Sequence, residues 1–250
     1  MRKILEFEEK DLKPTNSFKL NDTLNPDLWE DMNLKQEVRE KLIEIANEFI
    51  SMIHGEFSVS DIYFTGSLAS YNWSEYSDVD IHVKIDFSEI NDDTELVEEY
   101  LKLVAKKFNN GYDISIYKYD VEIYLEDVSE EREHVNGLYS ILNDKWVKKA
   151  SPFDREIDVK LVEEKAINLM EQIDELLDKD EKNEIEKEEL IEEINKIWLK
   201  IKKSRKDGIS SPDGDLSIGN LVFKYLRRNE YISKIIGVKK EVVEAKYSLD

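Results

Sequence analysis

The chain has 250 residues, enough for one large domain or two modest ones, and 40% of them are hydrophobic, so a real core is expected. Its 57 acidic and 36 basic residues leave a formal net charge of -21, which repels a polyanion wherever the field is not locally reversed and so disfavours extended nucleic acid as a partner. There is no cysteine, which removes disulfides, thiolate catalysis and cysteine-ligated zinc or iron-sulfur centres; no segment approaches the roughly 18 uninterrupted apolar residues of a membrane span, and a cytoplasmic protein with no membrane partner is expected.

Residues 1–35 carry mixed charge, little apolar periodicity and a turn-like Asn25-Pro26, and read as an extended or partly ordered arm. From 36 to 54, Val38, Leu42, Ile45, Ala46, Phe49 and Ile50 recur at helical spacing. Asp61 to Thr65 is short and apolar, as a buried strand is, and stops at Gly66-Ser67. Asp78 to Ile85 alternates strictly: Val79, Ile81, Val83 and Ile85 fall on one face, and Asp78, Asp80, His82 and Lys84 on the other. Residues 93–108 have a helical pattern that ends at Asn109-Asn110-Gly111. Two alternating runs, 113–117 and 120–126, read as a hairpin about Lys118-Tyr119, and 138–142 with 146–147 as another. Beyond Ser151-Pro152 the pattern turns helical: Leu161 to Leu176, Leu190 to Ile201 and a helix from Leu221, with the acidic stretch 178–189 and the turn SSPDGD between them. The second half is therefore expected to be a helical subdomain.

Chemistry concentrates in residues 64–83. Asp78 and Asp80 leave the same face of a strand with Cα atoms ~6.5 Å apart, a repulsive arrangement unless a cation lies between the carboxylates. All-oxygen donors suit Mg2+. Two such ions roughly 3.5–4 Å apart serve in-line phosphoryl displacement, one at the attacking oxygen and one at the departing oxygen. A third acid from another strand is then expected. Glu122 sits mid-strand between Val121 and Ile123 and is favoured, while Asp120 and Glu126 share its face and compete. Gly66 allows the main chain to approach a phosphate closely, and Ser67 with the amides that follow can donate to its oxygens.

Gly66-Ser67, ten residues, Asp78-Val79-Asp80-Ile81 and the later Val121-Glu122-Ile123 together resemble the signature of the nucleotidyltransferase superfamily. Wider stretches, LNPDLWE, TGSLASYNW, VEIYLED and NLVFKYLRR, are similar to uncharacterised bacteriophage-encoded nucleotidyltransferases. The resemblance implies an α+β, polymerase-beta-like domain with a mixed sheet over 36–150, a helical subdomain over 151–250, and an active site in the cleft between them. It further implies transfer of a nucleoside monophosphate from a nucleoside triphosphate such as ATP to a hydroxyl acceptor, with release of pyrophosphate. In that scheme Gly66 and Ser67 bind the triphosphate, and Asp78, Asp80 and Glu122 are catalytic and hold the two Mg2+ ions. Glu122 is also a candidate base; many members of the superfamily have Asp there.

Two other readings stay open: a catalytically silent nucleotide-binding or protein-interaction module, and a nucleotidyltransferase acting on RNA ends or forming oligonucleotides. Of the remaining side chains, His82 and Lys84 read as a solvated strand end. Tyr71, Trp73 and Tyr76 read as packing or loop anchors. The basic clusters Lys200, Lys202, Lys203, Arg205, Lys206 and Lys224, Arg227, Arg228 read as solvated surface, with closure over a triphosphate as the alternative.

Overall fold

The computed structural model describes residues 12, 18–130 and 135–248; His134 and most of the tract before Phe18 lie outside them. The chain divides into two compact units, Lys19–Arg155, and Glu156–Asp250 with the described residues Leu12 and Phe18. No helix among the described residues is long and apolar enough to cross a membrane.

The first unit is α+β. In chain order its elements are β1 (Trp29–Glu30), β2 (Asn33–Leu34), α1 (Gln36–Ser51), β3 (Val59–Thr65), β4 (Val79–Ile85), α2 (Phe87–Ile90), α3 (Thr94–Gly111), β5 (Ser115–Ile116), β6 (Tyr119–Asp127), β7 (Leu138–Ser140) and β8 (Lys145–Lys148). Six strands form a mixed sheet in the order β5-β6-β4-β3-β7-β8. Among the described residues only β4 and β6 pair in parallel. They can do so because α2 and α3 carry the chain back between them, as a parallel connection requires.

Alternation in β4 has the expected result. Val79, Ile81, Val83 and Ile85 are fully buried, in one core with Ile62, Phe64 and Ile123 of the neighbouring strands. The same core takes in Val38, Leu42, Ala46 and Phe49 of α1 and Val97, Leu101, Ala105 and Phe108 of α3. The α3 helix is started by Asp93, whose carboxylate accepts from the Leu96 N–H (3.1 Å). Just before its end, the Asn109 side chain accepts from the Ile123 N–H (3.1 Å) and donates to the Ile123 carbonyl (3.0 Å).

The tract expected as an arm is different from Phe18 onward. Leu24, Leu28, Trp29 and Leu34 are core residues of the first unit, and β1 and β2 form a small hairpin. Isolated large side chains with no period gave no signal of burial, yet Trp29 is held from several sides. It stacks on Phe64 and Trp146 at ring separations of 5.6 and 4.9 Å and meets Tyr139 edge-on at 5.2 Å. The hairpin expected around Lys118-Tyr119 turns instead at Tyr117-Lys118, with Tyr117 at φ +55°. Tyr119 is thereby drawn into β6, fully buried, where its hydroxyl accepts from the Asn25 side chain (2.7 Å).

The second unit is helical: α4 (Val159–Glu181), α5 (Lys187–Ile209), α6 (Ile218–Arg228) and α7 (Tyr231–Tyr247). Its core includes Val162, Met170, Ile173, Ile194, Leu226 and Ile235. Much of the acidic stretch expected as a connector continues α4 and starts α5, where Lys179–Glu175 and Lys182–Asp178 pairs one turn apart offset its charge.

Candidate functional site

The C-terminal end of β3 and the N-terminal ends of β4 and β6 meet at one point of the sheet. Thr65 is the register partner of Asp80, and Asp80 is the register partner of Glu122. Parallel pairing of β4 with β6 therefore sets two of the expected acids directly opposite one another. Asp78 lies one residue before β4, at the mouth of the same strand.

Gly66 follows Thr65 at φ +78°, a region that L side chains rarely adopt. A Cβ there would lie 2.1 Å from Asp80 Oδ2, so the glycine is required both by its backbone angle and by the carboxylate packed against it. A short 3-10 turn, Ser67–Ala69, comes next. The buried Ser67 hydroxyl donates to the Ser77 hydroxyl (2.8 Å), which also accepts from the Ser74 N–H (3.0 Å). Ser67 thus fastens the start of the loop to the residue preceding Asp78.

The rest of the loop is braced from residues 21–29. Trp29 Nε1 donates to the Leu68 carbonyl (2.8 Å), Asn21 donates to the Trp73 carbonyl (2.8 Å), and Trp73 Nε1 donates to the Thr23 carbonyl (2.8 Å). Tyr71 is buried and Trp73 is tied by its indole, as expected of loop anchors. The tract before α1 therefore holds the glycine-bounded turn in place.

Among the three acids weighed for the third position, Glu122 is the one opposite Asp80. Asp120 is exposed and pairs with Ser115 in the short β5 ladder. Glu126 lies four residues further along β6, opposite Lys84, and is buried with an oxygen 3.6 Å from His82 Nδ1.

Tyr124 had no place in the sequence reading. It occupies the face of β6 shared by Glu122, and its hydroxyl donates to the Glu122 carboxylate. Burial, then that bond and the Glu122 charge, with further repulsion from Asp80 and Asp78, push the hydroxyl far above the usual tyrosine range. The negative charges of all three expected acids thus bear on one phenol. Tyr124 also stacks on its register partner His82, with ring centroids 5.2 Å apart. His82 is consequently half-buried between strands rather than solvated, and Lys84 donates to the Glu130 carbonyl (3.0 Å). The parity that singled out Glu122 marks Tyr124 equally; what hid it was the absence of a charge.

The chemistry of these donors suits Mg2+, since Asp78, Asp80 and Glu122 offer only carboxylate oxygens. Among the described residues, however, no three acidic or imidazole groups converge closely enough to enclose an ion. The hydrogen bond from Tyr124 engages one oxygen of Glu122 and orients that carboxylate.

Within the helical unit, the Arg205 guanidinium lies 4.0 Å from the Phe223 ring centroid and its Nε donates to Asn220 (3.3 Å), while Arg228 lies over Phe18 at 4.4 Å. These two members of the basic clusters hold positions set by packing.

No family model, curated protein or solved structure matches the chain.

Proposed function

We propose that the chain is a metal-dependent nucleotidyltransferase of polymerase-beta-like fold, which moves a nucleoside monophosphate from a nucleoside triphosphate to a hydroxyl acceptor. The observation that carries this reading is the register of Asp80 with Glu122 beside a turn whose positive φ and packing against the Asp80 carboxylate favour glycine. Asp78, Asp80 and Glu122 would hold Mg2+, which when bound supplies charge neutralisation on the transferring phosphoryl group.

The protein's own groups have separable roles. The main chain at Gly66 and Ser67 faces the polyphosphate, and the Ser67 hydroxyl keeps the turn in shape through Ser77. Glu122 takes the proton of the acceptor hydroxyl. The acceptor oxygen forms a bond to the α-phosphorus, the bond from that phosphorus to the bridging oxygen breaks, and pyrophosphate leaves with its electron pair. Incubation with each labelled nucleoside triphosphate, Mg2+ and a panel of hydroxyl compounds should release pyrophosphate. Turnover that survives Asp78→Asn combined with Asp80→Asn overturns the reading.

The hydrogen bond from Tyr124 to Glu122 favours a second reading, a triphosphate-binding module whose third carboxylate is held back from catalysis. Calorimetry separates the two, because the silent module binds triphosphate without turnover on any acceptor.

A further inference from the structure

The sheet face that carries the acids is laid out in rows. Thr65, Asp80 and Glu122 form one row across β3, β4 and β6; Tyr63, His82 and Tyr124 form the next; Lys84 and Glu126 stand opposite one another in the third. Glu126 is 1% exposed, the most deeply buried acid among the described residues. A carboxylate at that depth needs a group that offsets its lost hydration. His82 is such a group: its Nδ1 lies 3.6 Å from Glu126 Oε2, and its own side chain is only 14% exposed.

Glu126 stands four residues beyond Glu122, about 13 Å along an extended strand, too far to share its chemistry directly. Three contacts nevertheless join the two carboxylates. Glu126 faces Nδ1 of the imidazole and so fixes which nitrogen is turned toward it. The imidazole lies against the Tyr124 ring, with centroids 5.2 Å and planes 27° apart. The Tyr124 hydroxyl donates to Glu122. A tyrosine on a strand has several staggered settings, and a ring stacked against it keeps the one that delivers its hydroxyl to Glu122. Packing alone does not call for an acid at position 126, because an apolar side chain fills a buried site without removing a charge from water.

We propose that His82 and Glu126 are positioning residues for Glu122: Glu126 orients the imidazole, the imidazole holds the Tyr124 ring, and the Tyr124 hydroxyl sets the direction of the third carboxylate. The assignment rests on the nucleotidyltransferase reading for its effect on turnover but not for the orientation of Glu122. Glu126, which shares the parity of Glu122, thereby has a task of its own one row away from the site.

The test is carbon-detected NMR of the full chain labelled at glutamate Cδ, the Glu122 signal being identified by its loss in Glu122→Gln, together with steady-state pyrophosphate release. His82→Leu and Glu126→Leu should each move the Glu122 signal, whereas Glu126→Gln, which keeps an oxygen for the imidazole, should leave it near its wild-type position. In a Tyr124→Phe background neither leucine substitution should move it further. His82→Leu should also lower kcat by ~10²-fold, the scale of a misplacement of about 1 Å, with the triphosphate KM unchanged. The proposal is overturned if His82→Leu leaves the Glu122 signal in place, if Glu126→Gln moves it as far as Glu126→Leu, or if the leucine substitutions act equally without the Tyr124 hydroxyl, as a general loosening of the sheet would. Should Glu126→Leu fail to fold, His82→Leu in the two backgrounds decides alone. A wild type without turnover on any acceptor removes the nucleotidyltransferase reading, and the carboxylate signal then decides the positioning by itself.

Discussion

The Tyr124 hydroxyl donates to the carboxylate of Glu122, two residues earlier on the same face of β6. In a cluster of like charges such a donor relieves repulsion, and it withdraws negative charge from a carboxylate that a cation would use. Tyr124→Phe is therefore expected to tighten Mn2+ or Mg2+ binding by ~10-fold, since a hydrogen bond to a charged group contributes about 1.5–3 kcal/mol. Electron paramagnetic resonance of Mn2+ titrated into the wild type and the variant measures this. Unchanged or weaker binding means that Tyr124 does not restrain the ligand.

Acid substitutions should sort by position. Asp78→Asn, Asp80→Asn and Glu122→Gln are each expected to lower kcat by ~10³-fold or more, the scale of several kcal/mol of transition-state charge stabilisation. Asp120→Asn is expected to stay within ~3-fold of wild type, because Asp120 is exposed and lies opposite Ser115 rather than Asp80. Steady-state pyrophosphate release gives all four values, and equal losses at Asp120 and Glu122 would remove the register argument.

Gly66→Ala should destabilise the fold by about 1–3 kcal/mol from its positive φ, with a further cost from the displaced Asp80 carboxylate. Gly111→Ala is the control: it ends α3 with nothing within 4 Å of the added methyl, so its change should stay within about 1 kcal/mol and favour stability. Urea denaturation of both variants checks the contrast.

The sheet's far side sets an alkaline limit. Burial, then the hydrogen bond it donates to Asp144 (2.8 Å) and that residue's charge, push the Tyr139 hydroxyl up to about 12 from 10.0. With the folded value raised, the contribution to stability is complete below pH 10 and is lost as pH climbs from 10 to 12. Tyr139→Phe should flatten the fall in unfolding free energy over that window by on the order of 2 kcal/mol. Urea titrations at stepped pH read the slope; an unchanged slope would mean that the phenol is not the titrating group.

Periodicity made β4 and α3 readable because each buries one face and solvates the other, and the spacing from Gly66 to Asp80 was readable because both ends are chemically unusual residues. Two features left no such trace. Trp29 and its neighbours join the core singly, through aromatic stacking across the sheet, and contacts between residues far apart in the chain produce no local pattern. The union of Asp80 with Glu122 depended on whether β6 lies beside β4 and in which direction. That is decided by the crossover through α2 and α3 and not by any residue of β6. The stacking of Tyr124 on His82 followed from that adjacency.

Asn109 bears on how the molecule avoids its own kind. Past its brief ladder with β5, the nine-residue β6 has no strand on its outer side among the described residues, and such a margin is a template on which another chain can add a strand. By taking both main-chain groups of Ile123, the Asn109 amide imitates one residue of a missing neighbour and ends the template at its middle. Asn109→Ala should accordingly aggregate faster at high concentration, seen by light scattering, before it loses much thermal stability.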